Sequence, residues 1–319
     1  MQLNFDAQGL SALSLPPVEL SAVTELHLRG NYLTRLPDEI GRLSQLRVLR
    51  LGYNRLTELP SALAELGELR VLTLAGNPLR HFPPVLSQLP KLEVLSLVRT
   101  DLTSLEGLSR MGELRHFSLS HNSLAHLPPD LAEKLPHLQS LELACNRVNK
   151  LPVGLGDCSA LIELNVAGNE LASVPDSLGS LRALARLCLA RNKLRRLPES
   201  LAALPELREL DVRENQLERL PASAPLWPVL DRLDVGLNQL EALPSALGHC
   251  VALRKLIVSG NRLTQLDESI LRLPVLEELW ASDNRLAAIP TSEAWGASLK
   301  TLCLHGNPIL NRGGAADSG

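Results

Sequence analysis

LRVLRLGYNRLTELPSALAELGE, residues 46–68, decides the fold. Its first half sets Leu46, Leu49, Leu51 and Leu56 around Asn54, and its second half opens on Leu59-Pro60 and returns through Leu63 and Leu66. The period-2 pair Leu49-x-Leu51 marks a short strand with one face buried. Asn54 and Leu56 turn the chain. Leu-Pro then opens a compact helical or 3-10 return segment, because the fixed φ of proline begins a helix without losing a needed N–H.

The same frame recurs outward in both directions. Asparagine stands at 31, 54, 77, 122, 146, 169, 192, 215, 238, 261, 284 and 307, in steps of 23 nearly throughout. Thr100 takes the one missing place, with a step of 22 after it and 24 after that, and its unit carries Leu105-Glu106 instead of Leu-Pro. That interruption predicts a local irregularity in curvature between residues 97 and 137. Ten of the thirteen units place a proline six residues after the Asn position. One period before Asn31, Gln8 is flanked by Leu3, Phe5 and Leu10, a decayed unit of the kind that caps a stack. The expected organisation is a degenerate capping repeat over 1–22, thirteen repeats over 23–311, and a disordered polar tail over 312–319.

Composition agrees with a regular interior. Leucine occupies 76 of 319 positions, whereas aromatics make up 3% and methionine only two residues. Irregular cores need aromatic and Met side chains to fill their gaps; a core of one aliphatic does not. The 32 basic and 35 acidic residues leave a net charge of −3, so no basic field disposes the chain to nucleic acid. The longest stretch free of Asp, Glu, Lys and Arg is 116–129, which contains three histidines and falls short of the roughly 20 apolar residues of a membrane span. MQLNFDAQGL is not a basic segment followed by an apolar one, and five cysteines lack framework spacing. These features predict a reduced, cytoplasmic compartment, with an exported effector lacking a Sec-type signal as the alternative.

The pattern resembles leucine-rich-repeat proteins, from about residue 3 to 311, and its 23-residue Leu-Pro variety is similar to the Ras-group intracellular scaffolds and their bacterial relatives. The resemblance implies an α/β fold: a right-handed solenoid, or horseshoe, with a concave parallel sheet and short helical or 3-10 convex segments. It also implies a protein partner, with small GTPases and phosphatases among the classes it suggests, and a bacterial effector module acting on host proteins as an alternative. One unit cannot bury its own apolar face, so stacking must supply the core. The Asn column reads as a structural ladder, since its amide has donors and an acceptor for neighbouring backbone. Cys158 and Cys250 replace apolar residues on return segments, where a buried Cys acts as a small hydrophobe.

If the leucines point inward, the alternating strand positions face the concave surface, and neighbouring strands about 4.8 Å apart make equivalent positions lateral neighbours. The middle row then runs His27, Arg50, Thr73, Ser96, Ser118, Glu142, Asn165, Cys188, Asp211, Asp234, Ile257, Trp280, Cys303. The expected partner contact is Trp280 beside Ile257, with Leu237 on a loop-side position and Asp211, Asp234, Lys255, Glu278 and Asp283 as a charged rim. The bland alternative has Trp280 bending inward to compensate for Ala281, which stands where other units place a core aliphatic. Asp211 beside Asp234 needs an offsetting cation, from Arg213 and Arg232 or from a partner. Glu163, Arg186, Glu209 and Arg232 alternate in sign, as in a solvated ion-pair ladder. A secondary basic and aromatic patch is expected at His27, Arg29, Arg50 and Tyr53.

An enzyme is the rival class. His121 and Cys145 occupy equivalent positions in adjacent repeats, the minimum for thiol chemistry, and His116 and Glu142 would extend them to a metal site. No oxyanion hole, CxxC, HExxH, Walker loop, GxGxxG or GxSxG accompanies them. The expectation is a non-catalytic chain without metal or cofactor. The lack of an apolar-shielding cap after Leu310 leaves a strand edge, which predicts a monomer or end-to-end dimer, or continuation into a longer protein.

Overall fold

The computed structural model describes residues 1–15, 20–223, 227–288 and 296–311. The chain divides into two compact units, Met1–Leu161 and Ile162–Gly319.

The first unit holds seven three-residue strands: β1 (Gln2–Asn4), β2 (Glu25–His27), β3 (Val48–Arg50), β4 (Val71–Thr73), β5 (Val94–Ser96), β6 (His116–Ser118) and β7 (Ser140–Glu142). Each lies parallel to the next in sequence, so that Leu3, Leu26, Leu49, Leu72, Leu95, Phe117 and Leu141 fall in one column. The second unit holds β8 (Glu163–Asn165), β9 (Arg186–Cys188), β10 (Glu209–Asp211), β11 (Arg232–Asp234), β12 (Lys255–Ile257), β13 (Glu278–Trp280) and β14 (Thr301–Cys303). Its column is Leu164, Leu187, Leu210, Leu233, Leu256, Leu279 and Leu302. Almost every leucine of the frame is fully buried. Each unit is thus a solenoid of parallel strands closed by short returns.

The returns are mostly five-residue 3-10 turns, such as Ser61–Glu65 and Asp176–Ser180. Proline stands one residue earlier than the helix-first position expected for it. Pro60 is extended, with φ −68° and ψ 149°, and its carbonyl accepts the Leu63 N–H at 3.1 Å. It fixes the corner from which the i to i+3 bonds start. Where Asp267 replaces this proline, its Oδ1 accepts the Ser269 N–H at 2.8 Å and the Ser269 hydroxyl at 2.6 Å, capping the turn Glu268–Leu271; these bonds hold the Asp267 carboxyl below its usual pKa. Trp227 fills the core between β10 and β11, fully buried, with its Nε1 donating to the Leu201 carbonyl at 2.8 Å.

The asparagines form the expected ladder. Asn54 Nδ2 donates to the Leu51 carbonyl at 2.9 Å and the Leu28 carbonyl at 2.8 Å, while its Oδ1 accepts the Leu33 N–H at 3.0 Å. The Leu28 carbonyl also accepts from Asn31 Nδ2 at 3.0 Å, so each such carbonyl is shared by two amides. Thr100 breaks the rule. Its hydroxyl donates to the Leu97 carbonyl at 2.7 Å, but it has no amide oxygen for the preceding turn. The Leu79 N–H turns instead to the Asn77 carbonyl at 2.8 Å, and Arg80 adopts φ +65°. The return that follows β5 has no helical turn, and the next contains the α-helical turn Leu131–Lys134. The irregularity thus takes the form of a rerouted ladder and altered returns.

The residue preceding each ladder position is left-handed, with φ between 53° and 72°: Gly30, Tyr53, Gly76, Arg99, His121 and Cys145 in the first unit, and Gly168, Arg191, Glu214, Leu237, Gly260, Asp283 and Gly306 in the second.

Candidate partner-binding face

The main contact candidates all fall in the second unit. The strand register makes Asp211, Asp234, Ile257, Trp280 and Cys303 successive neighbours in one row and Arg232, Lys255 and Glu278 successive neighbours in the row beside it. Trp280 is half-buried and stays on the sheet face. Its Nε1 donates to Glu278 Oε2 at 3.0 Å, Lys255 Nζ lies 2.5 Å from the same oxygen, and that ammonium stands 5.8 Å from the ring centroid. The Lys255 bond first, and the Trp280 bond after it, hold the Glu278 carboxyl below its usual range. The indole is therefore pinned at the sheet face, and Ala281 beside it is fully buried. Ile257 is half-buried beside it. Leu237 is 59% exposed in the left-handed conformation and leans over Gly260, where a Cβ would stand 2.6 Å from Leu237 Cδ2. Asp283 is exposed, with His305 Nε2 3.9 Å from its carboxylate.

Asp234 corrects the surface map, because it is only 3% exposed. Its Oδ1 accepts the Gly236 N–H at 3.0 Å, a strand-end donor left outside the inter-strand ladder. Asp211 does the same for the Arg213 N–H at 3.1 Å, and so does Asn165 for the Ala167 N–H at 3.1 Å. An acid or amide in this row thus has a local backbone partner and need not await a ligand. Burial, opposed by the Gly236 bond and reinforced by the neighbouring Asp211, raises the Asp234 pKa. Arg213 Nε lies 3.6 Å from Asp211 Oδ2, so the offsetting cation for that acid comes from within the chain.

The alternating ladder is only partly closed. Arg186 and Glu163 meet at 2.8 Å, which raises the Arg186 pKa; among the described residues Glu209 and Arg232 form no ion pair. These four line a shallow groove of about 270 Å³ with Asp211, Arg213, Asn165 and Cys188. The groove is absent from the sequence reading, which treats each row separately. Cys188 donates to Asp211 Oδ2 at 3.8 Å, and burial pushes its thiol up to about 11.

The secondary patch lies in the first unit. His27 and Arg50 are lateral neighbours; His27 Nε2 sits 3.3 Å from Glu25 Oε2 without a hydrogen bond. The Arg29 guanidinium lies 5.0 Å from the Tyr53 centroid. A second such pair, Arg55 over Tyr32 at 4.7 Å, escapes a reading confined to strand rows, because both residues follow the ladder asparagine.

The sequence model of the leucine-rich repeat region matches residues 19–127 and 101–219, and a second leucine-rich-repeat model matches 205–263. The chain belongs to the leucine-rich-repeat family. Among solved structures, this leucine-rich-repeat chain is similar to a leucine-rich-repeat protein of Leptospira interrogans, at 27% identity over 96% of this chain and 90% of that one, with a TM-score of 0.76. It is also similar to YopM, a leucine-rich effector protein from Yersinia pestis, at 26% identity over 97% and 84%, with a TM-score of 0.74. Similarity to a chain of the Drosophila Toll–Spätzle complex, at 24% identity over 99% and 43% with a TM-score of 0.74, concerns the fold alone. No curated protein sequence matches.

In this leucine-rich-repeat chain His121 and Cys145 both occupy the left-handed column and both are exposed. Among the described residues no three His, Cys, Asp or Glu side chains converge on a metal-sized site, and no helix is long and apolar enough to cross a membrane. Cys158 and Cys250 are buried in the core, and burial pushes their thiols up to about 11 and about 12. The polar tail 312–319 lies outside the described residues.

Proposed function

We propose that this chain is a non-catalytic protein-interaction module whose principal contact is the Trp280 surface of the second unit. The single observation that carries the reading is the state of Trp280: a large aromatic held on the sheet face by Glu278 and Lys255, next to Ile257 and with Leu237 exposed nearby in the numbering of the face. An aromatic fixed before binding loses little side-chain entropy on association, and Trp is enriched among residues that dominate interface energies. Lys255, Arg232, Arg213, Asp211 and Asp283 form the polar surround, while Asp234 acts from beneath by holding the strand end. The proposed organisation is a capping repeat over 1–22 followed by thirteen repeats to 311.

The partner is a protein, and small GTPases and phosphatases are the first classes to screen. Similarity to an effector protein over nearly all of this chain favours a second reading for its setting, an exported module acting on host proteins, over a cytoplasmic scaffold. Affinity capture with cross-linking separates the face from the rest of the molecule. Trp280→Ala and Leu237→Asp are expected to weaken capture of the same partner by about thirtyfold or more, a hot-spot loss of ~2 kcal/mol. Val251→Asp, on a return segment, should leave capture intact. Equal loss in Val251→Asp, or none in Trp280→Ala, overturns the assignment.

A further inference from the structure

The chain has only two tyrosines; they stand on consecutive repeats of the first unit, Tyr32 52% and Tyr53 49% exposed. Each ring has a glycine beside it and an arginine over it. Tyr53 lies across Gly76, where a Cβ would come within 2.9 Å of its Cδ1, and has the Arg29 guanidinium 5.0 Å from its centroid. Tyr32 stands against Gly9, where a Cβ would lie 4.0 Å from its Cε2, and has the Arg55 guanidinium at 4.7 Å. Gly76 also has φ +72°, so a side chain there would be strained as well as obstructed. The two tyrosines are mounts that hold two guanidinium groups in place.

A guanidinium stacked on a ring keeps its fork of N–H donors directed outward, in the geometry that meets a carboxylate through two parallel bonds. Arg50 adds a third exposed cation in the strand row beside His27. None of Arg29, Arg50 and Arg55 forms an ion pair among the described residues. In the second unit, by contrast, Arg186, Arg213 and Lys255 are matched by Glu163, Asp211 and Glu278, and Arg232 alone of the strand-face cations forms no ion pair among the described residues. Val48, Val71 and Val94 are lateral neighbours in the adjoining row and half-buried, a strip of aliphatic surface beside the unmatched cations.

We propose that the N-terminal strand face, with the turns that follow its strands, docks an acidic, extended segment of a protein partner, with its carboxylates on Arg29, Arg50 and Arg55 and its aliphatic side chains on the Val48–Val71–Val94 strip. Charge complementarity selects the occupant. Single-stranded nucleic acid would supply negative charge too, but its bases need open aromatic faces on which to stack. Here an arginine already lies over each ring. The surface goes beyond the Trp280 reading and is tested without it.

Fluorescence anisotropy with the full chain would use a labelled peptide of six glutamates and two leucines, ~26 Å long at ~3.3 Å per extended residue. The expected result is saturable, salt-sensitive binding that Arg50→Glu and Arg55→Glu each weaken by about tenfold or more, the effect of losing one charge-assisted contact. The charge-matched change Arg42→Glu, on the return segment Asp38–Arg42, should bind as wild type. Tyr53→Ala is expected to weaken binding while leaving the charge unchanged, which separates the mounted guanidinium from diffuse attraction. Equal binding of a peptide with lysine in place of glutamate, tighter binding of a single-stranded oligonucleotide or of phosphatidylserine vesicles, or an Arg42→Glu loss matching that of Arg50→Glu, overturns the proposal. Trp280→Ala has no part in this outcome, so either surface can fail alone.

Discussion

Replacing Asn192 by Ala tests the ladder where its wiring is complete. The amide donates to the Val166 carbonyl at 3.0 Å, the Leu189 carbonyl at 3.0 Å and the Ala190 carbonyl at 3.2 Å, and accepts the Leu171 N–H at 3.0 Å. The losses are unequal. The Val166 carbonyl keeps a bond from Asn169 at 2.9 Å, and the Leu189 carbonyl keeps one from Asn215 at 2.9 Å. Only the Leu171 N–H becomes a buried orphan, at a cost of ~1–3 kcal/mol, with about another 1 kcal/mol for the weakened carbonyls. The expected total is ~2–4 kcal/mol. Asn192→Thr should cost less, because a hydroxyl can keep the bond within its own repeat, as Thr100 does to Leu97 at 2.7 Å. Asn192→Asp should cost more than either, since it sets a carboxylate against carbonyl oxygens. Urea unfolding gives the order, and amide hydrogen exchange at Leu171 locates the cause. An Asn192→Ala protein within about 0.5 kcal/mol of wild type, with Leu171 exchange unchanged, would refute the ladder argument.

Two further outcomes follow from buried groups. The folded-state pKa of Asp234 is raised above its unfolded value, so the unfolded chain releases its proton first and stability falls as pH rises through that interval. Asp234→Asn keeps an oxygen for the Gly236 N–H and should stabilise at pH 7 by up to about 1 kcal/mol; thermal melts should show the gain shrinking as pH falls through the folded-state pKa, and a gain independent of pH contradicts the cause. For the thiols, iodoacetamide at pH 8 should modify Cys145, which is exposed, and spare Cys158 and Cys250 until the chain unfolds. Mass spectrometry of native and urea-treated samples reads this directly, and prompt native labelling of Cys250 would contradict its core placement.

The repeat register was legible because the chemistry of each position recurs at a constant spacing, and a period-2 leucine pair has one physical use. From that register the lateral neighbours Ile257 and Trp280, or Glu163 and Arg186, could be read before any coordinates. Asp234 was misread as exposed because alternation reports which side of the sheet a residue is on, not how much its neighbours cover it. The rerouting at Thr100 depends on what a backbone does when an acceptor is missing, which sequence flags but does not describe. Trp227 escaped notice because a frame followed by its leucines passes over an aromatic; its buried indole stands where the two preceding repeats carry Leu181 and Leu204. The left-handed column did leave a trace, in Gly30, Gly76, Gly168, Gly260 and Gly306 at one place of the frame; the non-glycine residues between them conceal it.

That column has a consequence for how such a chain can change. Its side chains hang from a turn whose shape is set by the neighbouring amide and by backbone bonds, so tyrosine, histidine, cysteine, leucine and aspartate all occupy it with the same φ. A bulky residue there carries a modest conformational cost of ~1 kcal/mol relative to glycine and leaves the interior untouched. Novelty in recognition can therefore accumulate along the file of each unit, one repeat at a time, without renegotiating the architecture that carries it.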